Sequence, residues 1–324
     1  MSVSKNGNRV VIGVDLGGTK IQTVAMHARQ RLGEARAATP RTSPEDVVQA
    51  IAGAVAQLGV PSADIRSIGI GSPGEIDSRA GVVRGARNLP GFDGSVELGR
   101  LVSQALGGVK VTLDNDVRSA IWGEYKLGAG RPFKNVLGVF VGTGVGGALV
   151  IAGRLHQGQG AAGEIGHMVF KPGGRRCNCG RRGCVEAYAG RAEMELRARK
   201  LVSQGRKTVL FELMKKQHRD RMTSGVVAGA LEAKDKLAEE LIEDAVRALG
   251  VGIASAQNLV DADAVIIGGG LGDRLGAPFR ARIEEAMRPH VFASDHPPKV
   301  LNTEFGDLAG AIGAAILAGA LDGA

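Results

Sequence analysis

Apolar residues come in short runs that end in glycine, and this pattern sets the reading of the chain. Val10–Val14 and Ile21–Met26 are β-rich runs separated by Asp15-Leu16-Gly17-Gly18-Thr19-Lys20, which predicts a hairpin closed by a glycine turn. Ser43-Pro44-Glu45-Asp46 supplies a capping hydroxyl, a proline for the first helical position and early acidic residues. Val47, Ile51, Val55 and Leu58 then share one face, so a helix is predicted, stopped at Gly59. Ile65–Ile70 predicts a strand entering the loop Gly71-Ser72-Pro73-Gly74. Val109–Leu113 predicts another, entering Asp114-Asn115-Asp116, where a helix to about Leu127 begins.

The pattern then restarts. Val136–Val141, Gly142-Thr143-Gly144-Val145-Gly146-Gly147 and Ala148–Ile151 repeat the strand, glycine turn and strand of residues 10–26, which implies two homologous α/β halves. An irregular Gly- and Arg-rich stretch between His156 and Val185 carries all three cysteines. Helical patterns follow to Val260, among them a helix from about Lys236 with Leu237, Leu241, Val246 and Leu249 at helical spacing. Asp263–Ile267 reads as a short strand ended by a glycine turn at Gly268-Gly269-Gly270. Two uncharged stretches, Val136–Gly153 and Leu308–Leu321, are not read as membrane spans: glycines break the first, and the second is short and suits a tightly packed helix.

At 324 residues, 44% apolar and 23% charged, the chain can bury one large or two medium cores, which excludes a disordered tail. Three cysteines crowded at 177, 179 and 184 are no disulfide framework, and Met1–Arg9 lacks the apolar segment of a secretory signal, so a reducing, cytoplasmic setting is expected. The net charge of +8 is uneven, because Lys171–Arg221 holds 15 Lys or Arg against 5 Asp or Glu. One Trp and two Tyr give little to stack bases on, so that segment is read as a solvated face rather than a nucleic-acid site, with polyphosphate left open as an anionic partner.

Glycine turns at strand ends leave several N–H groups pointing one way, and such nests bind phosphate. Gly13-x4-Gly18-Thr19-Lys20 nearly spells a P-loop, but Thr and Lys are in the wrong order and a strand follows instead of a helix. Gly142-x-Gly144-x-x-Gly147 matches the dinucleotide fingerprint literally, with Glu164 near the expected spacing, yet it too precedes a strand. Asp114-Asn115-Asp116 puts carboxylates at the first turn of a helix, where a base could take a proton from an attacking hydroxyl; one division of labour makes Asp114 the cap and Asp116 the base. Cys177, Cys179 and Cys184 need a fourth ligand, and His167 would complete a closed, structural tetrahedral zinc site. Zinc on one imidazole nitrogen would leave the other for a substrate hydroxyl, with Glu164 and Glu186 close by.

At these residues the sequence resembles the ROK family (repressors, uncharacterised frames and sugar kinases), most of all its bacterial glucokinases, along nearly the whole chain. The resemblance rests on Asp15-Leu16-Gly17-Gly18-Thr19-Lys20, Gly71-x-Pro73-Gly74-x-Ile76-Asp77, Asn88-Leu89-Pro90-Gly91, Asn115-Asp116 and Gly142-Thr143-Gly144-x-Gly146-Gly147. The most specific parts are Gly163-Glu164-Ile165-Gly166-His167 and Cys177-x-Cys179-Gly180-x-x-Gly183-Cys184-x-Glu186. It implies two actin-like, hexokinase-type (RNase H-like) α/β domains with a cleft between them. These would be residues 1–118 joined by a C-terminal helix at about 308–324, and residues 119–307 with a zinc-binding loop at 167–184.

The resemblance also implies an ATP- and Mg2+-dependent glucokinase working by in-line phosphoryl transfer to the sugar 6-hydroxyl, with Asp116 as general base. Gly74, Asn88, Asn115, Asp116, Glu164, His167 and Glu186 would hold the sugar. Asp15, Gly17, Gly18, Thr19, Lys20, Thr143, Gly144, Gly146, Gly268, Gly269 and Gly270 would serve the nucleotide, Asp15 through hydrated magnesium. His167, Cys177, Cys179 and Cys184 would bind structural Zn2+. A homodimer or homotetramer with small-molecule partners is implied, and neither nucleic acid nor membrane. A kinase for another hexose or an N-acetylhexosamine, polyphosphate as donor, and a non-catalytic sugar-sensing ROK protein are the alternatives. Only nine residues precede Val10, so the DNA-binding head of a family repressor is not expected.

Overall fold

The computed structural model describes residues 10–86 and 88–322; the polar segment Met1–Arg9, read above as carrying no secretory signal, lies outside them. Strands β1 (Val10–Leu16), β2 (Lys20–His27) and β3 (Gln30–Ala38) lead to helix α1 (Pro44–Ala56) and then β4 (Ile65–Ser72). β5 (Glu75–Asp77), β6 (Val82–Arg84) and β7 (Ser95–Val96) precede α2 (Leu98–Ala105), β8 (Lys110–Asn115) and α3 (Asp116–Leu127). The second series runs β9 (Val136–Val141), β10 (Val145–Ile151), β11 (Arg154–His156), α4 (Glu186–Ala189), α5 (Arg191–Ser203), α6 (Leu210–Lys216) and α7 (Ser224–Glu232). It ends with α8 (Lys236–Val260), β12 (Ala264–Gly268), α9 (Gly269–Met287), β13 (Lys299–Asn302) and α10 (Ala309–Leu317).

The chain divides into two compact units. One groups the described residues of Met1–Pro132, Leu155–Ala162 and Asp307–Ala324; the other holds Phe133–Arg154 and Gly163–Gly306. The expected boundary at 118 falls inside α3, which stays with the first unit because α10 packs along it.

The first unit is built on a five-stranded sheet in the order β3-β2-β1-β4-β8, with β5, β6 and β7 forming a small separate sheet. β1 pairs antiparallel with β2 and parallel with β4, and β4 pairs parallel with β8. Ser43 Oγ accepts from Asp46 N at 3.2 Å and caps α1, whose Val47, Val48, Ile51, Ala54 and Val55 are buried, as the spacing predicts. The uncharged C-terminal stretch forms α10, buried from Ala309 to Ile316 against β1, β4 and α3. Glycines permit that approach: a Cβ on Gly69 or Gly313 would overlap the carbonyl of Ala314 or Ser119, and one on Gly123 would lie 2.8 Å from Ala309 O.

The second unit repeats the wiring in the order β11-β10-β9-β12-β13. β9 pairs antiparallel with β10 and parallel with β12, which pairs parallel with β13. The restart of the hydrophobic pattern at Val136 is therefore a repeat of topology, and the expected α/β class holds. α8 supplies much of the core: Asp235 Oδ1 accepts from Ala238 N at 2.8 Å at its start, and Leu237, Leu241, Val246 and Leu249 are all buried. Among the described residues no helix is long and apolar enough to cross a membrane.

Two expectations need correcting. Gly268-Gly269-Gly270 is not a free turn, because β12 runs straight into α9 there; Gly269 takes a left-handed φ of +81°, and a Cβ on it would lie 2.8 Å from Val141 N. The charge surplus at 171–221 is partly answered from outside that window, since Arg175 pairs with Asp244 and Arg206 with Glu240, both on α8.

Candidate active site and metal centre

The residues singled out by sequence fall into two groups, one in each unit. In the first, β1 carries Asp15 to the mouth of the Gly17-Gly18-Thr19 turn. Gly17 N donates to Lys20 O at 3.0 Å, and Thr39 braces the turn by donating Oγ1 to Gly17 O (2.6 Å) and N to Thr19 O (3.2 Å). A Cβ on Gly18 would lie 2.9 Å from Asn88 Cβ, so Asn88 stands against this turn. Lys20 Nζ is 2.6 Å from the Asp307 carboxylate. Gly74, with φ +97°, packs under the Arg84 carbonyl.

β8 runs into α3 at the Asp114-Asn115-Asp116 sequence. Asn115 is the cap, its Oδ1 accepting from Val117 N (3.0 Å) and Arg118 N (3.1 Å). Asp114 therefore does not cap the helix. Instead it is buried and accepts from Arg118 Nε (2.6 Å), Asn115 N (2.7 Å) and Gln157 Nε2 (3.0 Å), while Arg118 Nη1 reaches Gly160 O at 2.8 Å. A buried ion pair is tolerated when its remaining valences are met in this way.

Asp116 sits on the first turn of α3, its Oδ1 accepting from Val117 N at 2.9 Å, and its backbone lies against the end of β4 at Gly71. Burial, with the Asp116 charge next, lifts the Asp15 carboxyl to about 7, against the lowering effect of Lys20. The Asp15 carboxylate also adjoins Gly310 at the start of α10, where a Cβ would lie 2.7 Å from its Cγ. The Asp116 charge favours the protonated form of Asp15, and a bound cation would relieve that repulsion.

In the second unit the β9–β10 turn is closed by Gly142 N donating to Gly144 O at 2.9 Å. Glu186, at the head of α4, accepts from Val145 N at 2.9 Å and lies against Gly144, where a side chain would overlap its carboxylate. Its Oε1 is 3.7 Å from Cys177 Sγ, so one carboxylate links the glycine turn to the cysteine loop. Burial, followed by the Glu186 charge, raises the neighbouring Glu193 carboxyl.

The cysteine loop folds back through bridges Val169↔Cys184 and Arg176↔Arg182 and a tight turn in which Gly180 N donates to Cys177 O (3.0 Å). Gly183 has φ +84° and leaves no room for a side chain beside the Lys171 carbonyl. One ligand atom each from His167, Cys177, Cys179 and Cys184 lie within 4.8 Å of one another. Cys179 and Cys184 sulfurs are 3.7 Å apart, and Cys177 Sγ is 3.9 Å from His167 Nδ1. Glu164, exposed, precedes the short turn Ile165–His167.

Sequence reasoning missed Arg191, which bridges the 142–143 turn to Ser224. The signal was present as an arginine directly after the helix-opening Gly190, where a cation opposes the helix dipole.

A sequence profile of the ROK family matches residues 11–320. The chain is 31% identical over 313 residues to the glucokinase of Streptomyces coelicolor, covering 95% of this chain and 97% of that one. It is 29% identical to the N-acetyl-D-glucosamine kinase of Salmonella paratyphi B, covering 94% and 98%. Among solved structures, a ROK family glucokinase from Streptomyces griseus in complex with glucose and AMPPNP matches with a TM-score of 0.80 at 32% identity, covering 95% of this chain and 99% of that one. The chain belongs to the ROK family and has the mixed α/β fold of its sugar kinases.

Proposed function

We propose that the chain is a glucokinase, transferring the γ-phosphoryl group of ATP to the 6-hydroxyl of glucose. The observation that carries this reading is Asp116. It opens α3 at the end of β8, the edge strand of the parallel trio β1-β4-β8, and its charge bears on Asp15 beside the Gly-Gly-Thr-Lys turn. Likeness to glucokinases at 31–32% identity over 95% of the chain supports glucose as the sugar.

In this reading Asp116 takes the proton from the 6-hydroxyl as that oxygen bonds to the γ-phosphorus and the bond to the ADP oxygen breaks. Gly74, Asn88, Asn115, Glu164, His167 and Glu186 hold the sugar hydroxyls; Asn115 spends its carbonyl oxygen on the helix cap and has its amide N–H groups to offer. Backbone N–H groups of the Gly17–Lys20 turn, of Thr143, Gly144 and Gly146, and of Gly268–Gly270 face the nucleotide. Mg2+ bound through Asp15 would neutralise phosphate charge, and the mutually repelling Asp15 and Asp116 fit such a cation.

The cysteine cluster fits Zn2+. Tetrahedral thiolates with Zn–S near 2.3 Å stand about 3.8 Å apart, and the sulfurs of Cys179 and Cys184 are 3.7 Å apart. His167 would bind it through Nδ1 and so keep Nε2 for a sugar hydroxyl.

The test is initial rates of ADP formation with Mg-ATP across glucose, mannose, fructose, N-acetylglucosamine, N-acetylmannosamine and no sugar. The expected outcome is glucose-dependent turnover that falls by about 10²–10⁴ in Asp116→Ala with glucose binding retained. Turnover confined to an acetylated sugar would overturn glucose while keeping the kinase. No turnover with any sugar, with ATP and then with polyphosphate, would leave a sugar-sensing ROK protein.

A further inference from the structure

Arg191 stands where elementary electrostatics disfavours a cation, in the first turn of α5, the positive end of that helix. Among the described residues no carboxylate pairs with it. Nε donates to Gly142 O at 3.2 Å, Nη1 to Ser224 Oγ at 2.7 Å and Nη2 to Thr143 Oγ1 at 3.1 Å, all neutral partners. Burial alone pulls its pKa below the usual arginine value. Elsewhere in the same basic segment Arg175 meets Asp244, Arg199 meets Glu195 and Arg206 meets Glu240, while Arg182 donates to the Gly174 carbonyl. Leaving a desolvated guanidinium without a counter-charge is costly, and the cost falls away when an anion binds.

The position of the side chain identifies that anion. The backbone of α5 is tied to the β9–β10 turn, Arg191 N donating to Gly142 O (3.2 Å) and Ala192 N to Thr143 O (3.0 Å). A Cβ on Gly270 would lie 3.4 Å from Ser224 Oγ and 4.0 Å from Arg191 Nη1, so the guanidinium spans from the glycine turn to the first residues of α9. A guanidinium carries five N–H donors. Three are used here, and one remains on each terminal nitrogen, the fork that recognises two oxygens of a phosphate group.

We propose that Arg191 is a phosphate-binding residue of the donor site, presenting its two unused N–H groups to the diphosphate of the nucleotide, with Ser224 and Thr143 holding its plane. This assignment rests on the kinase reading above. It makes α5 part of the nucleotide site and gives that site a fixed charge in addition to backbone amides.

The test is calorimetric binding of Mg-ADP and of adenosine, without sugar, to the wild-type chain, Arg191→Gln and Arg191→Lys. The expected result is that Arg191→Gln weakens Mg-ADP about tenfold or more while adenosine binds as before. Arg191→Lys, which keeps the charge but loses the fork, falls between. In steady state the KM for ATP rises in Arg191→Gln and the KM for the sugar does not, a split that loss of packing at α5 would not produce. Should Arg191→Gln fold poorly, the ratio of ADP to adenosine affinity in Arg191→Lys decides. Unchanged ADP affinity, or equal loss of ADP and adenosine in a folded variant, overturns the assignment. Wild-type chain that binds no nucleotide overturns the kinase reading, and the assignment with it.

Discussion

The seam between α10 and its sheet makes a sharp prediction for Gly13. A Cβ at Gly13 would land 1.8 Å from the Ala311 carbonyl oxygen and 2.8 Å from Ala315 N, both backbone atoms of α10. Non-bonded heavy atoms settle about 3.5 Å apart, so Gly13→Ala requires α10 to withdraw by roughly 1.5 Å. Withdrawal on that scale forfeits more than half of the dispersion contact between the surfaces it separates. Ile312 and Ile316, 4% and 7% exposed, lie on the helix that must move. Added to an overpacking cost of about 1–3 kcal/mol, the expected loss is about 3–5 kcal/mol, or a fall in melting temperature of roughly 10 °C for a unit of this size. Gly33→Ala is the control, because no atom lies within 4 Å of its Cβ position; it should be neutral or stabilising by up to about 1 kcal/mol. Thermal unfolding followed by circular dichroism and urea titration measures both. If Gly13→Ala melts with the wild type, α10 does not press on β1 at Gly13.

Three further outcomes follow from the sites described. Asp15 has a folded pKa of about 7 against an ordinary 3.8. Ionisation is thus penalised in the folded state, and metal-free wild type loses stability as pH climbs through that window. Asp15→Asn escapes this, so its melting advantage should grow from pH 5 to pH 8, and a constant difference would refute the assignment. Arg118→Met should cost about 3–5 kcal/mol in urea titrations by stranding the buried Asp114 charge, and adding Asp114→Leu should recover most of it; no recovery would mean that the pair contributes more than charge balance. Cys184→Ser, or removal of metal by a strong chelator, should lower stability by about 3 kcal/mol or more with loss of zinc measured by mass spectrometry. Purified chain without zinc but with wild-type stability would dispose of the metal centre.

How far the sequence could be read depended on the range of the interaction. Local signals were legible: Ser43 caps α1, the glycine turns close both hairpins, and the three thiols meet His167. At Asp114-Asn115-Asp116 the helix start was legible, yet three adjacent side chains that could each cap it cannot be told apart by spacing. Asp114 is buried by its pairing with Arg118, a spacing of four that was visible, and by Gln157, which was not. Gly69 and Gly313 carry no local mark within a strand and a small-residue helix, and Gly13 stood out only as part of a near P-loop, because the backbone that requires all three comes from far along the chain. The basic segment misled for the same reason: its balancing acids Glu240 and Asp244 lie on α8, outside any window that counts local charge.

The route of the chain through α10 also bears on its synthesis. β1 and β4 are made early, but the helix that covers Gly13 and Gly69 is residues 309–317, made only after residues 163–306 of the second unit. At elongation rates of about 5–20 residues per second the first sheet waits about ten to forty seconds with that face uncovered. The later half of the chain therefore has the residues to complete its fold before the earlier half does, and during that interval the nascent first unit offers a chaperone an apolar, glycine-lined groove shaped for one particular helix.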